Sequence, residues 1–182
     1  MDNPTSDALP TAAFRIRAAQ PADVPALMRL KRLLAEAEDS LHAVRASAAD
    51  WLRDGFGPHA GFTAYVAELG SAVVGMATCS RRMITGWNGP ILFLQDLFVE
   101  PAHRRRGIAE ALMARVAALA RGLGSPIVEL TVRADNNAAQ TFYQCAGFQP
   151  LPQCLTYVLA GPALDALACR DRASDETLAL TG

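Results

Sequence analysis

This chain predicts a mixed α/β sheet covered by helices, and three observations point there. Strand-like and helix-like segments follow in the order strand, helices, three strands, helix, strand, helix, strands. The segment Ile91 to Val99 is apolar except for Gln95 and Asp96, as a strand at the sheet centre would be. A length of 182 residues suits one domain with its own core.

Residues 1–12 read as a flexible tail, 13–160 as a single domain, and 161–182 as a C-terminal turn with a second flexible tail. Phe14, Ile16 and Ala18 alternate with Arg15 and Arg17, the pattern of a half-buried strand. Pro21 and Asp23 open a helix, since proline fits a first helical turn. Its apolar stripe is Leu27, Leu30, Leu34 and Ala37, and it ends in the acidic Glu36, Glu38 and Asp39. A short helix covers Ala48 to Asp54, after which Gly55, Gly57, Pro58 and Gly61 force a loop. Strands near Phe62–Glu68 and Ala72–Ser80, joined at Gly70–Ser71, read as a hairpin. A loop through Gly86, Trp87, Asn88, Gly89 and Pro90 leads into the long central strand. After Pro101 comes a helix in which Ile108, Leu112, Val116, Leu119 and Leu123 recur at helical spacing, with Gly122 and Gly124 ending it. Ile127–Val132 is a further strand and Asn136–Ala146 a further helix, closed by Gly147. One or two last strands fall around Phe148–Pro150 and Cys154–Leu159, so six to seven strands and about four helices are expected.

Slightly over half the residues are apolar and the net charge is -1. A nucleic-acid binder would need a strong basic surplus against phosphates, so that class is not expected. The polar, acidic start MDNPTSDALP has neither a basic opening nor an apolar stretch, so no export signal is expected. No apolar run is long enough for a bilayer, so no membrane partner is expected either. Cys79, Cys145, Cys154 and Cys169 are scattered, which points to reduced thiols and a cytoplasmic setting. His42, His59 and His103 show no ligand spacing, so no metal is expected.

The most informative segment runs from Leu97 through His103-Arg-Arg-Arg-Gly107 to Ala109. A buried strand enters a short loop and then a helix. Free N–H groups and the positive dipole end at such a helix start make an anion site. Gly107 lets a ligand approach the backbone closely, Ala109 keeps the next turn open, and Arg104, Arg105 and Arg106 add positive charge. The spacing is neither GxxxxGK[ST] nor GxGxxG, so ATP and dinucleotides find no support.

Arg104-x-x-Gly107-x-Ala109 resembles the acetyl-CoA signature of the GNAT superfamily, Arg/Gln-x-x-Gly-x-Gly/Ala. The resemblance implies a GNAT-like, mostly antiparallel mixed sheet and an N-acetyltransferase that uses acetyl-CoA. It implies that the amides from Arg105 through Arg106, Gly107 and Ile108 to Ala109 hold the CoA diphosphate. The strand end Leu97, Phe98 and Val99 then runs beside pantetheine. A second match is Asn136-x-x-Ala139-x-x-x-Tyr143-x-x-x-Gly147-Phe148, similar to the family's common ending. It implies that Asn136 and Ala139 lie on the cofactor side and that Tyr143 protonates the departing thiolate. Asn136 and Tyr143 stand seven residues apart, nearly two turns, and share one helix face. A thiol near 8.5 and a phenol near 10 make that transfer nearly balanced.

Further stretches resemble the spermidine/spermine and thialysine N-acetyltransferase branch. They are Leu34-Ala-Glu-Ala-Glu38, Asp54-Gly-Phe-Gly57, Val66-Ala-Glu68, Trp87-x-Gly89 and Leu94-Gln-Asp-Leu-Phe-Val99. This likeness implies that Glu38, Trp87, Gln95 and Asp96 line the acceptor side. Gln95 stands where the branch has glutamate and Ala37 where it has tyrosine, while Arg81 and Arg82 add positive charge nearby. A diamine, a polyamine, or an amino acid or other zwitterionic amine is therefore the expected acceptor class. An amine arrives protonated, and Asp96 and Glu38, through a water chain, are the candidates to relieve it of its proton. Strand alternation sets Gln95 and Asp96 on opposite faces. Two alternatives stay open: a CoA-binding module without turnover, motivated by Gln95, and a protein N-terminal or lysine acetyltransferase. The family resemblance also implies a homodimer.

Overall fold

The computed structural model describes residues 13–85, 89–154 and 156–168. Of the tails read at 1–12 and 161–182, residues 1–12 and 169–182 lie outside the described residues, as does Trp87. The chain divides into two compact units between Ala139 and Gln140.

In the first unit, β1 (Phe14–Ala18), β2 (Thr63–Leu69), β3 (Ala72–Met83), β4 (Pro90–Val99) and β5 (Val128–Leu130) form one sheet in sequence order. The first three pairings are antiparallel and β4–β5 is parallel. The sheet is thus mixed and mostly antiparallel, but it has five strands rather than six to seven. The shortfall is at the chain's end, where residues 148–150, 154 and 156–159 form no strand. The Cys154 amide donates to the Leu151 carbonyl, closing a turn with Pro152 at its second position. Proline presets that corner and gives no ladder donor, so the chain bends where an extended pair was expected.

The helices are α1 (Val24–Ala37), α2 (Ala48–Phe56), α3 (Ile108–Gly122) and α4 (Asn137–Cys145), the last crossing the division between the units. A short helical stretch at 162–168 adds one to the four expected. Val24, Leu27 and Leu30 of α1 pack on Ala64 and Val66 of β2, Val73 and Met76 of β3, Phe98 of β4 and Trp51 of α2. Tyr65, on the alternate face of β2, lies under the Arg115 guanidinium of α3 at 5.8 Å. The sheet is therefore covered on both faces, which is why β3 is buried without interruption from Val73 to Cys79. Burial pushes the Cys79 thiol up to about 11, so it is a packed, protonated group.

Arg17 ties β1, the start of α1 and β2 together. Its Nη1 and Nη2 donate to Asp23 at 2.6 and 2.9 Å, and its Nε donates to Glu68 at 2.6 Å. At its other end α1 closes in a Schellman turn: the Ser40 amide donates to Ala35 and the Asp39 amide to Glu36, with Asp39 left-handed at φ 51°. Aspartate tolerates that conformation better than most side chains.

Candidate functional site

Two features of the first unit are candidates for the chemistry: the turn entering α3 and a cavity walled by α1, α2 and β4. The turn begins where β4 ends. Pro101–His103 make one 3-10 turn, Arg105 is left-handed at φ 61°, and Gly107 caps α3 at φ 77°. Left-handed residues at Arg105 and Gly107 bend the backbone sharply at the entrance to α3, and turns that pair left-handed with right-handed residues can gather N–H groups around an anion. The Ala111 amide donates to the Gly107 carbonyl, so the amides before it stand at the open helix end. A Cβ on residue 107 would meet nothing within 4 Å, so the space beside that backbone is free for a ligand. Arg104 turns away from it. Its Nε donates to the Val99 carbonyl at 2.9 Å and its guanidinium lies over the Phe98 ring at 5.6 Å. The first arginine of the motif thus braces the strand end, leaving Arg105 and Arg106 exposed at the turn.

The β4–β5 ladder runs from Leu92–Val128 to Leu94–Leu130. A cavity of about 440 Å³ has on its walls Thr131, just past β5, and Gln95 and Asp96 of β4. Lys31 of α1, Thr78 of β3, and Trp51, Asp50 and Asp54 of α2 complete much of it, with Phe93 and Arg45. Gln95 and Asp96 were expected on opposite faces, and here the structure corrects the sequence. Thr78 pairs with Asp96 and Cys79 with Leu94, so Gln95 is an extra, bulged residue. A bulge breaks the two-residue alternation, and both side chains reach the same cavity.

Asp96 is buried, and both its oxygens have partners. Lys31 Nζ donates to Oδ1 at 2.5 Å and Thr78 Oγ1 to Oδ2 at 2.8 Å. Arg82 lies over the Phe93 ring at 4.4 Å and pairs with Glu129 at 2.7 Å, so its charge is already engaged. Glu38 sits at the C-cap of α1 and is not on the cavity wall. Its charge, with that of Asp39, adds to the Asp135 carboxylate in raising the Arg133 guanidinium.

Asn136 Oδ1 accepts from the Ala139 amide at 3.1 Å, an N-cap bond that fixes the start of α4. In the second unit the Tyr143 ring packs edge-on against Phe142 and Phe148, at 5.3 and 5.6 Å. The Phe148 amide donates to the Tyr143 carbonyl, and Gly147 turns at φ 94°. Sequence reasoning missed Lys31, Thr78 and Arg45. Lys31 sits in the run Arg29-Leu-Lys31-Arg32, which reads as a solvated helix face, and only the fold reveals its carboxylate. Among the described residues no acidic, histidine or cysteine cluster could hold a metal, and no helix is long and apolar enough to cross a membrane.

The profile of the acetyltransferase (GNAT) family matches residues 26–148. Thialysine N-epsilon-acetyltransferase of Mus musculus is 34% identical over 170 residues, which are 87% of this chain and 99% of the relative. Spermidine/spermine N(1)-acetyltransferase-like protein 1 of Homo sapiens is 32% identical over 141 residues, 74% of this chain and 20% of the relative. Among solved structures, an aminoglycoside N-acetyltransferase in complex with CoA shares the fold. Its TM-score is 0.66 at 21% identity, covering 82% of this chain and 96% of that one. With the profile spanning well over half the sequence and a relative matched along nearly its whole length, this chain belongs to the acetyltransferase (GNAT) family.

Proposed function

We propose that this acetyltransferase moves the acetyl group of acetyl-CoA directly onto a primary amine of a small molecule, within a ternary complex. The observation that carries the reading is the turn at Arg105–Gly107, with its left-handed residues, open helix amides and empty Cβ position. A diphosphate fits such a turn in charge and in shape. Acetyl-CoA, when bound, supplies a thioester carbonyl open to attack. In this proposal the amides of Arg105 to Ala109 hold the diphosphate, and Leu97 to Val99 lie along the pantetheine arm. Asn136 and Ala139 set the pitch of α4 through their cap bond. Tyr143 Oη delivers a proton to the departing sulfur, a nearly matched transfer for a phenol and a thiol.

The acceptor amine enters the cavity beside Gln95 and Asp96. Taking up a proton at Asp96 would forfeit its ion pair with Lys31. Asp96 therefore orients, and the amine's proton leaves through water toward Glu38, the second carboxylate of the family likeness, which stands off the cavity wall. Trp87 belongs to the same acceptor side by the family likeness. Cytoplasmic residence and a homodimer complete the proposal, the latter measurable by light scattering.

The test is thiol release from acetyl-CoA in the presence of monoamines, diamines, polyamines and amino acids. Turnover with at least one small amine is expected. CoA binding without thiol release for any of them would sink the catalytic reading.

A further inference from the structure

We infer that Lys31 is the residue that decides which amine this site accepts, because its ammonium fills the cation position that Asp96 and Thr78 build in the cavity. The inference rests on the reading of that cavity as the acceptor side, and it narrows it.

A second ammonium on an acceptor needs a carboxylate to meet it, since a cation leaving water must be matched. Three carboxylates stand on the cavity wall, Asp50, Asp54 and Asp96. Each is already bonded to a cation of the chain, Asp50 and Asp54 sharing the one guanidinium of Arg53. Asp54 takes a two-pronged pair from Arg53, with Nε and Nη2 both at 2.7 Å. Asp50 accepts from Arg53 Nη1 at 2.8 Å and from the amide and hydroxyl of Ser47. Asp96, the buried one, holds Lys31 on one oxygen and Thr78 on the other. Gln95, beside it, is neutral, and Arg45 on the wall brings the cations to three, with Lys31 and Arg53, against the three carboxylates. The cavity thus offers a second ammonium no unmatched carboxylate, and it favours acceptors whose remainder is neutral or anionic.

The pair is built rather than incidental. Lys31 reaches Asp96 from α1, Thr78 from the neighbouring strand, and the bulge at Gln95 brings Asp96 opposite Thr78. Removing the lysine leaves a buried carboxylate with a cavity beside it, and a diamine can then supply the missing ammonium.

The experiment compares 1,4-diaminobutane with butylamine on wild type, Lys31→Met and Lys31→Met/Asp96→Asn, by calorimetry and by the shift in Tm. Wild type should bind the diamine no more tightly than the monoamine. Lys31→Met should bind the diamine at least tenfold more tightly and gain Tm from it, and the added Asp96→Asn should abolish both gains. Lys31→Gln, which keeps a donor for Asp96, serves should the methionine variant fail to fold. A wild type that already prefers the diamine tenfold overturns the assignment, as does a folded Lys31 variant with no diamine gain. Neither readout needs turnover. If no amine releases thiol yet the diamine gain appears, the acetyl-transfer reading falls and the role of Lys31 stands.

Discussion

At the scale of single residues, two side chains carry the sharpest expectations. Tyr143→Phe removes one oxygen and leaves the ring packed between Phe142 and Phe148. Turnover should fall by about 10²–10⁴-fold if the phenol is the acid, while acetyl-CoA affinity measured by calorimetry stays nearly constant. Unchanged turnover removes the phenol from the mechanism. Gly107→Leu should abolish CoA binding and leave the chain folded. No packed atom lies near the new Cβ, and holding a side chain at φ 77° costs about 1–2 kcal/mol, within the stability of an ordinary domain. Retained CoA affinity in the folded variant counts against the cradle. Both residues stand out in the sequence because motif spacing is local. Lys31 does not, because its partner lies 65 positions away.

At the scale of elements, the ion cluster at the head of α1 is the joint to probe. The Arg17 guanidinium, ahead of the Gln20 amide, holds the Asp23 carboxyl below the usual carboxylate range against the opposing effect of burial. A carboxyl lowered by folding contributes stability that is present above its unfolded value, near 3.9, and is lost as pH falls through its folded value. Asp23→Asn should therefore lower stability at neutral pH by about 1–3 kcal/mol, the worth of a charge-assisted pair. It should also flatten the loss of stability below about pH 4, read by urea denaturation across that range. A variant with the wild-type acid profile would show that Asp23 is not the titrating group. The bulge in β4 belongs to this scale too. Alternation along Leu94-Gln95-Asp96-Leu97 placed the two polar residues apart, and register with β3 put them together. A sequence carries the alternation of one strand but not the slip of a ladder.

For the whole molecule, stability rests on a sheet buried on both faces. Leu112 of α3 and Met76 of β3 are wholly buried. Leu112→Ala and Met76→Ala should each cost about 2–5 kcal/mol in chemical denaturation. Losses under 1 kcal/mol would mean that these layers are not packed as described. The order of elements was legible at this scale as well, since β3 and β4 are long apolar runs and α1 and α3 carry clear stripes. The last strands were misjudged. Apolar Cys154–Leu159 has strand composition, but the turn through Pro152 decides the local path.

The sequence by itself determined the class of sheet, the strand–turn–helix proposed as the anion cradle, and the tyrosine helix. All of these are written in short-range spacing and in residues whose backbone preferences are local. Only the tertiary structure decided that Gln95 and Asp96 share one cavity, that Arg104 braces its own strand, and that Lys31 neutralises Asp96. Those facts depend on ladder register and on charges brought together from distant segments, and no local pattern encodes either.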